Sequence, residues 1–241
     1  PFRISEPPKP DQPDEPGADD PDGPDPVPDP DPGTDPDAPA PAPVSFTDVT
    51  DSTDHAPHIR WLAEEGISEG WLDEASGVRA YRPWSSVARA DMAAFLYRLA
   101  GSPAFEPSAA DLAAFSDVDE GTPHYKEVLW LASAGISEGW DAGGGARVFR
   151  PYDEIARIDM AAFLHRLAGW MEAPEPEGAG KAFPDVASGM PHAEDVAWLA
   201  SAGITTGFPD GEFKPYGSIV RCDMAAMLHR LDGLVEGYEV E

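Results

Sequence analysis

Arginine occupies the same position in three related segments of the chain. The segments read VARADMAAFLYRL at 87–99, IARIDMAAFLHRL at 155–167 and IVRCDMAAMLHRL at 219–231. In each of them an aspartate follows the arginine two residues later. The helix-start arginines are Arg89, Arg157 and Arg221, and the helix-start aspartates are Asp91, Asp159 and Asp223.

A guanidinium in the first turn of a helix opposes the helix dipole, so an anion is expected to offset its charge. One candidate is internal, and would be a helix-start aspartate or a second aspartate column made of Asp48, Asp117 and Asp185. The other is an anionic ligand, because the arginine fork matches a carboxylate. The residues alone leave both interpretations open, including a shared one in which an aspartate holds the fork.

The loop before each helix-start arginine carries a second cation and two aromatic rings. The pre-proline cations are Arg82, Arg150 and Lys214. The post-proline aromatics are Trp84, Tyr152 and Tyr216, and the post-glycine aromatics are Trp71, Trp140 and Phe208. Aromatic faces beside a cation would suit a sugar that carries an acid group. The same rings could instead fill the gap between a helix and its loop.

The spacing of apolar residues in the three segments predicts an amphipathic helix. In the first segment Met92, Phe95, Leu96 and Leu99 follow the pattern i, i+3, i+4, i+7. A glycine two residues after the last leucine predicts the end of each helix. These glycines are Gly101, Gly169 and Gly233.

A shorter helix is predicted earlier in each unit, and it runs roughly from His55, His124 or His192 to a Gly-Ile pair. Thr122 before Pro123 indicates an N-cap, and Thr53 holds the same place in the first unit. Gly66, Gly135 and Gly203 are expected to end these helices, with the following isoleucine folding back on the last turn. Trp61, Trp130 and Trp198 are expected in the core.

Three helix–loop–helix units follow from these patterns. Each has about 55 residues, which is too few for an independent core, so the units are expected to pack together through the stripes of the repeated helices. The predicted boundaries are a spacer at 1–44, repeat 1 at 45–101, repeat 2 at 114–169, repeat 3 at 182–233 and a tail at 234–241.

Composition limits the partners of the chain. Its 241 residues carry a net charge of −29, which opposes binding to nucleic acid and to anionic membranes. No apolar run approaches the ~20 residues of a membrane span, and a single cysteine excludes an intrachain disulfide. The first 44 residues are rich in Pro and Asp, which predicts an extended, disordered spacer. A calcium site there is disfavoured because alternating prolines prevent a folded loop.

No repeated set of residues predicts catalysis. His55, His124 and His192 form a column that would bind a metal only if the three converged, and no local spacing supports zinc. His165 and His229 stand where the first unit has Tyr97, on what is expected to be a helix surface. We therefore expect no enzymatic activity, no metal and no cofactor.

The combined pattern resembles the S-layer homology (SLH) domain. It consists of F-x-D-V, a helix ending in W-L-A-x-x-G-I, a loop G-x-x-D-G-x-F-x-P and an Arg-led helix. All three units match, over about residues 46–232, and the third carries the loop unbroken as GFPDGEFKP at 207–215. The family's Thr-Arg-Ala-Glu motif appears here as ARAD at 88–91, ARID at 156–159 and VRCD at 220–223.

The resemblance implies a mainly α fold in which three repeats form a pseudo-threefold spindle within one monomeric chain. It also implies secretion and anchoring to a Gram-positive-type cell wall, through an acidic, often pyruvylated secondary wall polysaccharide held in grooves between repeats. The motif arginine is then a main polymer contact. The loss of the threonine removes the side-chain cap of that helix. The alternative function is a self-assembly or protein–protein module of a surface layer.

Overall fold

The computed structural model describes residues 44–240, so the predicted Pro/Asp-rich spacer lies outside the described residues except for Val44. Six helices make up most of the regular structure. In chain order they are α1 (Ala56–Glu64), α2 (Arg89–Leu99), α3 (Tyr125–Ser133), α4 (Arg157–Trp170), α5 (Ala193–Ser201) and α6 (Arg221–Glu236). Each repeat contributes one short helix and one longer helix, and a short 3₁₀ helix spans Asp111–Ala113.

Two of the three inter-helix loops contain an antiparallel hairpin that the sequence analysis did not predict. In repeat 1, β1 (Trp71–Asp73) pairs with β2 (Val78–Ala80). In repeat 2, β3 (Trp140–Gly143) pairs with β4 (Ala146–Val148). The insertions in these loops supply the extra strand residues, and the shorter loop of repeat 3 forms only turns.

The ends of the short helices confirm the prediction from the Gly-Ile pairs. Gly66 has φ +67°, and the amide of Ile67 donates to Leu62 O at 2.8 Å. Repeats 2 and 3 have the same bonds. A left-handed residue that lets the chain fold back on the last turn favours glycine because it has no Cβ to clash.

The predicted start of the short helices at the histidine column is confirmed, whereas the predicted threonine N-cap was wrong. The residue before α3 is His124 in a left-handed conformation, and His55 and His192 hold the same place before α1 and α5, none with a side-chain cap. The Thr122 hydroxyl instead accepts a hydrogen bond from Asp119 N at 3.1 Å, within the preceding turn. The threonine therefore shapes the turn that leads into the helix.

Two of the three predicted ends of the long helices were also wrong. Gly101 does follow α2 with φ +79°, but α4 continues through Gly169, and α6 continues through Gly233 to Glu236. A Cβ at Gly233 would lie 2.6 Å from Val240, because the C-terminal residues fold back over the helix. Gly233 therefore serves tertiary packing, and Gly237, at φ +78°, ends the helix.

The three repeats are joined in a closed cycle. Val87 N donates to Ile219 O at 3.1 Å, Ile219 N to Ile155 O at 3.0 Å and Ile155 N to Val87 O at 2.9 Å. These three bonds run in the same direction around a ring and define a pseudo-threefold axis. Around it, each long helix packs against the short helix of the next repeat: α2 on α3, α4 on α5 and α6 on α1.

The long helices receive their N-caps from the neighbouring repeat. The amides of Arg89 and Ala90 donate to Asp153 O at 3.0 Å and to Pro151 O at 2.9 Å. The same pairs of bonds join α4 to the turn at 215–217 and α6 to the turn at 83–85. The long helices have no threonine to cap their first amides. Backbone carbonyls of the neighbouring repeat accept hydrogen bonds from these amides instead.

The core lies along the apolar stripes of the long helices. Met92 and Leu96 are fully buried, as are their counterparts in repeats 2 and 3. Of the tryptophans expected in the core, Trp130 is buried, whereas Trp61 and Trp198 are half-buried at repeat boundaries. Trp198 stacks on His165 and Trp61 on His229, so these histidines lie at repeat boundaries and not on a free helix surface.

Candidate functional site

Each helix-start arginine extends into the following repeat. Nε donates to the carbonyl oxygen that precedes a pre-proline cation: Arg89 to Phe149 at 2.9 Å and Arg157 to Phe213 at 2.8 Å. Arg221 of repeat 3 closes the cycle by donating to Tyr81 O of repeat 1 at 2.7 Å. The three guanidinium groups therefore occupy corresponding positions at the three repeat boundaries, which we call clefts.

We name the clefts by the arginine that enters them. Cleft A contains Arg89, cleft B contains Arg157 and cleft C contains Arg221. In each cleft the following repeat supplies a helix-start aspartate and a post-glycine aromatic. These are Asp159 and Trp140 in cleft A, Asp223 and Phe208 in cleft B, and Asp91 and Trp71 in cleft C.

The helix-start arginines are nearly sealed from solvent, with only 3%, 4% and 3% of Arg89, Arg157 and Arg221 exposed. Internal pairing accounts for much of their charge, although to different degrees. Arg157 Nη1 lies 2.7 Å from Asp223 Oδ2, whereas Arg89 Nη1 lies 3.4 Å from Asp159 Oδ2. Arg221 donates to Ser68 Oγ at 3.3 Å.

Burial changes the acid–base behaviour of these groups. It lowers the pKa of Arg89 to about 10, with Asp159 acting in the opposite direction, and it lowers the pKa of Arg157 and Arg221. At this pKa Arg89 remains protonated at neutral pH. Burial also raises the pKa of Asp91, although His124 and Arg221 counteract it.

The second aspartate column, Asp48, Asp117 and Asp185, binds backbone amides and not the side chains of the helix-start arginines. Asp48 accepts hydrogen bonds from Tyr81 N at 2.8 Å and from Arg82 N at 2.7 Å. Asp117 and Asp185 bind the corresponding amides of repeats 2 and 3. These carboxylates fix the segment whose carbonyl receives the arginine, so they position the cleft wall.

Two cations lie over every post-glycine aromatic. Trp140 is contacted by Arg89 from repeat 1 at 4.0 Å and by Arg150 from its own repeat at 4.7 Å. Trp71 is contacted by Arg221 and Arg82, and Phe208 by Arg157 and Lys214, at 4.2–4.7 Å. Cation–π attraction, worth roughly 0.5–2 kcal/mol per contact, therefore orients both cation columns at the cleft.

In each cleft, the repeat that supplies neither the arginine nor the aspartate contributes the histidine that precedes its short helix. His55 Nε2 lies 3.7 Å from Asp223 in cleft B, and His124 Nε2 lies 4.0 Å from Asp91 in cleft C. His192 lines cleft A with Asp159. Each cleft therefore combines an arginine, an aspartate and a histidine from three different repeats.

Cleft A encloses a cavity of about 120 Å³. Besides Arg89, Asp159, Trp140 and His192, its lining includes four residues that the sequence analysis did not select as site residues: Ser137, Glu138, Gly139 and Arg166. Arg166 and its counterparts Arg98 and Arg230 occupy the same position in the three long helices. Each of these arginines donates to an isoleucine carbonyl just after the short helix of its own repeat.

One buried donor in cleft C has no acceptor. Among the residues that the structure describes, Trp71 Nε1 is the single buried side-chain nitrogen or oxygen without a hydrogen-bond partner. Leaving such a group unsatisfied costs about 1–3 kcal/mol. A ligand or water oxygen that reached this indole would recover that energy.

The post-proline aromatics lie outside this network. Trp84, Tyr152 and Tyr216 are 60%, 59% and 69% exposed. The ring and cation contacts described within residues 44–240 involve none of the three. The structure therefore separates them from the post-glycine aromatics, with which the sequence analysis had grouped them as glycan contacts.

No group of three His, Cys, Asp or Glu side chains within the described part of the chain is arranged to hold a metal ion. None of the helices in that part is long and apolar enough to cross a membrane.

Comparison with known families agrees with this architecture. The S-layer homology domain model matches residues 45–93, 114–161 and 182–225, which is more than half of the chain. The chain belongs to the S-layer homology family. This domain anchors proteins at the cell wall and is not itself catalytic, which identifies the chain as part of a secreted, cell-surface protein.

Three curated relatives share part of their sequence with the chain. Exoglucanase XynX of Acetivibrio thermocellus is 30% identical over 78% of this chain and 16% of the relative. Amylopullulanase of Thermoanaerobacterium thermosulfurigenes is 30% identical over 78% of this chain and 9% of the relative. Cell surface glycoprotein 1 of Acetivibrio thermocellus is 34% identical over 38% of this chain and 4% of the relative. The chain thus corresponds to less than a fifth of each relative's length.

Proposed function

We propose that the chain anchors its protein by binding an acidic secondary wall polysaccharide in the clefts between repeats, without catalysis. Cleft A carries this proposal, because Arg89 of repeat 1 and Arg166 of repeat 2 line one cavity of about 120 Å³. The spindle shape implied by the family belongs to the same proposal, with the long helices as its shaft and the inter-helix loops as its prongs.

The hydrogen bonds of Arg89 leave part of its fork available. Nε donates to Phe149 O and Nη1 faces Asp159, whereas Nη2 has no partner among the described residues. A carboxylate that entered the cavity would accept from Nη2 and would also meet Arg166. In a cleft of low dielectric such charge-assisted bonds are stronger than in water.

The overall charge of −29 repels an anionic polymer at long range. Binding must therefore depend on short-range contacts with Arg89 and Arg166, since Asp159 and Glu138 balance the charge of these two arginines in the lining of cleft A. Trp140 lies in the lining of the same cavity and contributes apolar surface to it.

We propose that the three clefts are not equivalent. Asp223 holds Arg157 at 2.7 Å, so an incoming carboxylate in cleft B must displace a well-formed ion pair. The corresponding distance in cleft A is 3.4 Å. Cleft A is thus expected to bind the polymer first, with Arg89 as its main contact.

The test is sedimentation with native cell walls and with walls chemically stripped of secondary polymer. The wild-type fragment should bind native walls only. Arg89→Gln should weaken binding at least tenfold, whereas Asp159→Asn should preserve or strengthen it, because it removes the competing carboxylate. Arg60→Gln, at a solvent-exposed pair with Asp51, is the matched control.

The opposite responses separate a binding role from a structural one. If Arg89 and Asp159 served only to hold the repeats together, both substitutions would lower binding and thermal stability in parallel. Equal binding to stripped walls, or release of reducing sugar by this segment, would contradict the proposal. Light scattering that rises with concentration in the absence of glycan would favour the surface-lattice alternative.

A further inference from the structure

The packing of α6 on α1 closes the ring of three repeats, and we call this contact the closing seam. Two histidines face each other across it, His58 of α1 and His229 of α6. Their Nδ1 atoms lie 3.0 Å apart, and their rings meet edge to face with 5.1 Å between centroids. His58 is only 5% exposed, so the pair lies within the repeat boundary. The ring of His55 lies 5.6 Å from that of His58, which makes a cluster of three histidines.

The other two boundaries place a carboxylate where the closing seam has His58. The residue three positions after the histidine that precedes each short helix is His58, Glu127 or Asp195. At the boundary between repeats 2 and 3, His165 Nδ1 lies 2.7 Å from Asp195 Oδ1, and His192 Nδ1 lies 3.0 Å from Asp195 Oδ2. A protonated histidine is attracted by a carboxylate and repelled by a second protonated histidine. Acid therefore opposes the contact at the closing seam but not at the boundary between repeats 2 and 3.

The contact between His58 and His229 limits how many protons the closed seam can bind. One Nδ1–H donates to the other Nδ1, so the two facing nitrogens share a single hydrogen. If both rings were fully protonated, two N–H groups of like charge would face each other at 3.0 Å without an acceptor. Rings that are separated in water each take up a proton near pH ~6.5. In mild acid the open seam therefore binds more protons than the closed seam.

Burial and the surrounding charges oppose protonation of the cluster. The charged and phenolic groups that face it come from both helices and their flanks: Asp54 and Glu64 of repeat 1, and Asp223, Arg230, Asp232 and Tyr238 of repeat 3 and its tail. Burial is the largest effect on each histidine, and Arg230 acts in the same direction. The pKa of His58 is lowered to about 4, and the pKa values of His55 and His229 are lowered as well. The carboxylates counteract burial only in part.

The closing seam is also the boundary that the chain holds least firmly. Linkers join repeat 1 to repeat 2 and repeat 2 to repeat 3, whereas repeats 3 and 1 lie at opposite ends of the described chain. Arg89 and Arg157 face aspartate carboxylates at their boundaries, but Arg221 donates to the neutral Ser68 hydroxyl at 3.3 Å. An ion pair adds an attraction that a bond to a neutral hydroxyl lacks. This seam can therefore open without breaking a linker or one of those two ion pairs.

We propose that the closing seam is an acid-sensitive latch, in which protonation of His58 and His229 separates α6 from α1 while the other two repeat boundaries remain closed. Cleft C opens with it, because Arg221 of repeat 3 donates to Tyr81 O of repeat 1 at 2.7 Å. Clefts A and B, which join repeats 1 to 2 and 2 to 3, keep their arginine–aspartate pairs. In acid the module thus changes from a closed ring to an open row of three repeats. The latch is independent of what the clefts bind.

Cys222, the single cysteine of the chain, reports on this boundary. It is fully buried at the start of α6, and its amide donates to Pro83 O of repeat 1 at 2.9 Å. The experiment measures its modification by a pyridyl disulfide, which reacts in mild acid, at pH 7.5 and pH 5.0, relative to the urea-unfolded chain. The relative rate should rise on the order of ten- to thirtyfold at pH 5.0, because the open seam binds one more proton. It should not depend on urea at low concentration, since a local opening exposes little surface.

Two substitutions of His58 test the histidine pair. His58→Asp copies the arrangement of His165 and Asp195 and should lower the acid response to about threefold or less. His58→Gln, which stays neutral, should do the same and keeps the test decisive if the aspartate variant fails to fold. A full acid response in both variants, or no acid response in the wild type, would overturn the latch.

A second reporter distinguishes opening of one seam from unfolding of the whole protein. Cys222→Ala combined with Ala90→Cys moves the thiol to the equivalent position of repeat 1, where the amide of residue 90 donates to Pro151 O of repeat 2. At pH 5.0 this reporter should react at least about tenfold more slowly than Cys222, because its boundary stays closed. Equal rates at the two positions, both following urea unfolding, would also overturn the latch, since the repeats would then separate only as the whole fold is lost.

Discussion

Arg157 Nη1 and Asp223 Oδ2 meet at 2.7 Å across the boundary between repeats 2 and 3, with the arginine almost completely buried. The corresponding pair between repeats 1 and 2, Arg89 Nη1 and Asp159 Oδ2, is longer at 3.4 Å. The Arg157–Asp223 pair joins the start of α4 to the start of α6, and Phe213 O receives a further bond from the same guanidinium. The contact therefore stabilises the repeat boundary itself.

Substitution of Arg157 by leucine should destabilise the protein by about 3 kcal/mol, because it leaves Asp223 with an uncompensated, largely buried charge. Urea unfolding would measure the loss. Arg60→Gln removes an exposed pair and should change the stability by less than about 1 kcal/mol. Equal stability of Arg157→Leu and wild type would show that the pair contributes nothing net.

Tyr81 and Phe149 offer a test of the pseudo-symmetry. The buried Tyr81 hydroxyl donates to Arg221 O at 3.0 Å. Phe149 occupies the equivalent place beside Arg89. Phe149→Tyr should therefore place its hydroxyl near Arg89 O and should cost less than about 1 kcal/mol, despite the usual cost of a buried polar group.

The reverse substitution, Tyr81→Phe, should cost about 1 kcal/mol by loss of one hydrogen bond. Thermal unfolding of both variants checks the pair. A loss above about 2 kcal/mol in Phe149→Tyr would mean that the acceptor does not occupy the symmetric position.

Two glycines with similar backbone angles should differ in their tolerance of alanine. Gly66 has φ +67° and Gly70 has φ +66°. A Cβ at Gly66 would meet nothing within 4 Å, whereas at Gly70 it would lie 2.4 Å from Ala80 O and 2.6 Å from the Phe46 ring. Gly66→Ala should cost about 1 kcal/mol from the left-handed angle alone.

Gly70→Ala should cost several kcal/mol, because the angle and the clash with a backbone carbonyl act together. Differential scanning calorimetry of the two variants gives the comparison. Similar melting temperatures would indicate that β1 and β2 move apart freely.

Stability should decrease in mild acid because of His58. Burial lowers the pKa of this histidine to about 4, and its Nδ1 lies 3.0 Å from His229 Nδ1. In the unfolded chain this histidine is protonated near pH 6.5, whereas in the folded chain it is protonated only near pH 4. The free energy of unfolding is therefore unaffected by His58 above pH 6.5 and decreases as the pH falls towards 4. The loss between pH 7 and 4.5 should be on the order of 2 kcal/mol.

His58→Gln should flatten this pH dependence, as measured by urea unfolding at several pH values. His165→Gln is the control, since the ring of His165 faces the Asp195 carboxylate instead of another histidine. The interpretation fails if His58→Gln retains the full acid sensitivity.

Wall binding should persist in about 0.3 M NaCl, where the screening length is only several ångströms. Contacts within an enclosed cleft are screened less than surface charges. Sedimentation with native walls over a salt series measures this. Complete release at that concentration would indicate loose ion exchange at the surface.

The sequence predicted the presence of the six helices better than it predicted where each helix begins and ends. Apolar spacing and Gly-Ile pairs are local signals, and they located α1 to α6. The left-handed histidines before the short helices, and the continuation of α6 through Gly233, depend on contacts with distant residues. Such contacts leave no local pattern.

The sequence alone did not show which aspartate pairs with which helix-start arginine. The electrostatic argument required an anion, and Asp159 and Asp223 supply it. The repeat that supplies the aspartate depends on the direction in which the three repeats follow one another around the axis. The equal spacing of the repeats along the sequence does not determine that direction. For the same reason, the sequence did not distinguish the covered post-glycine aromatics from the exposed post-proline ones.

The contact of Arg221 with Tyr81 O has a consequence for how the module matures. Repeat 1 is synthesised before repeat 3, so cleft C, which needs residues of both, forms only when repeat 3 is present. A truncated product that stops after two repeats lacks both the α6–α1 seam and its donor. Such a product keeps the Arg89–Asp159 pair of cleft A but cannot close the cycle of three repeats.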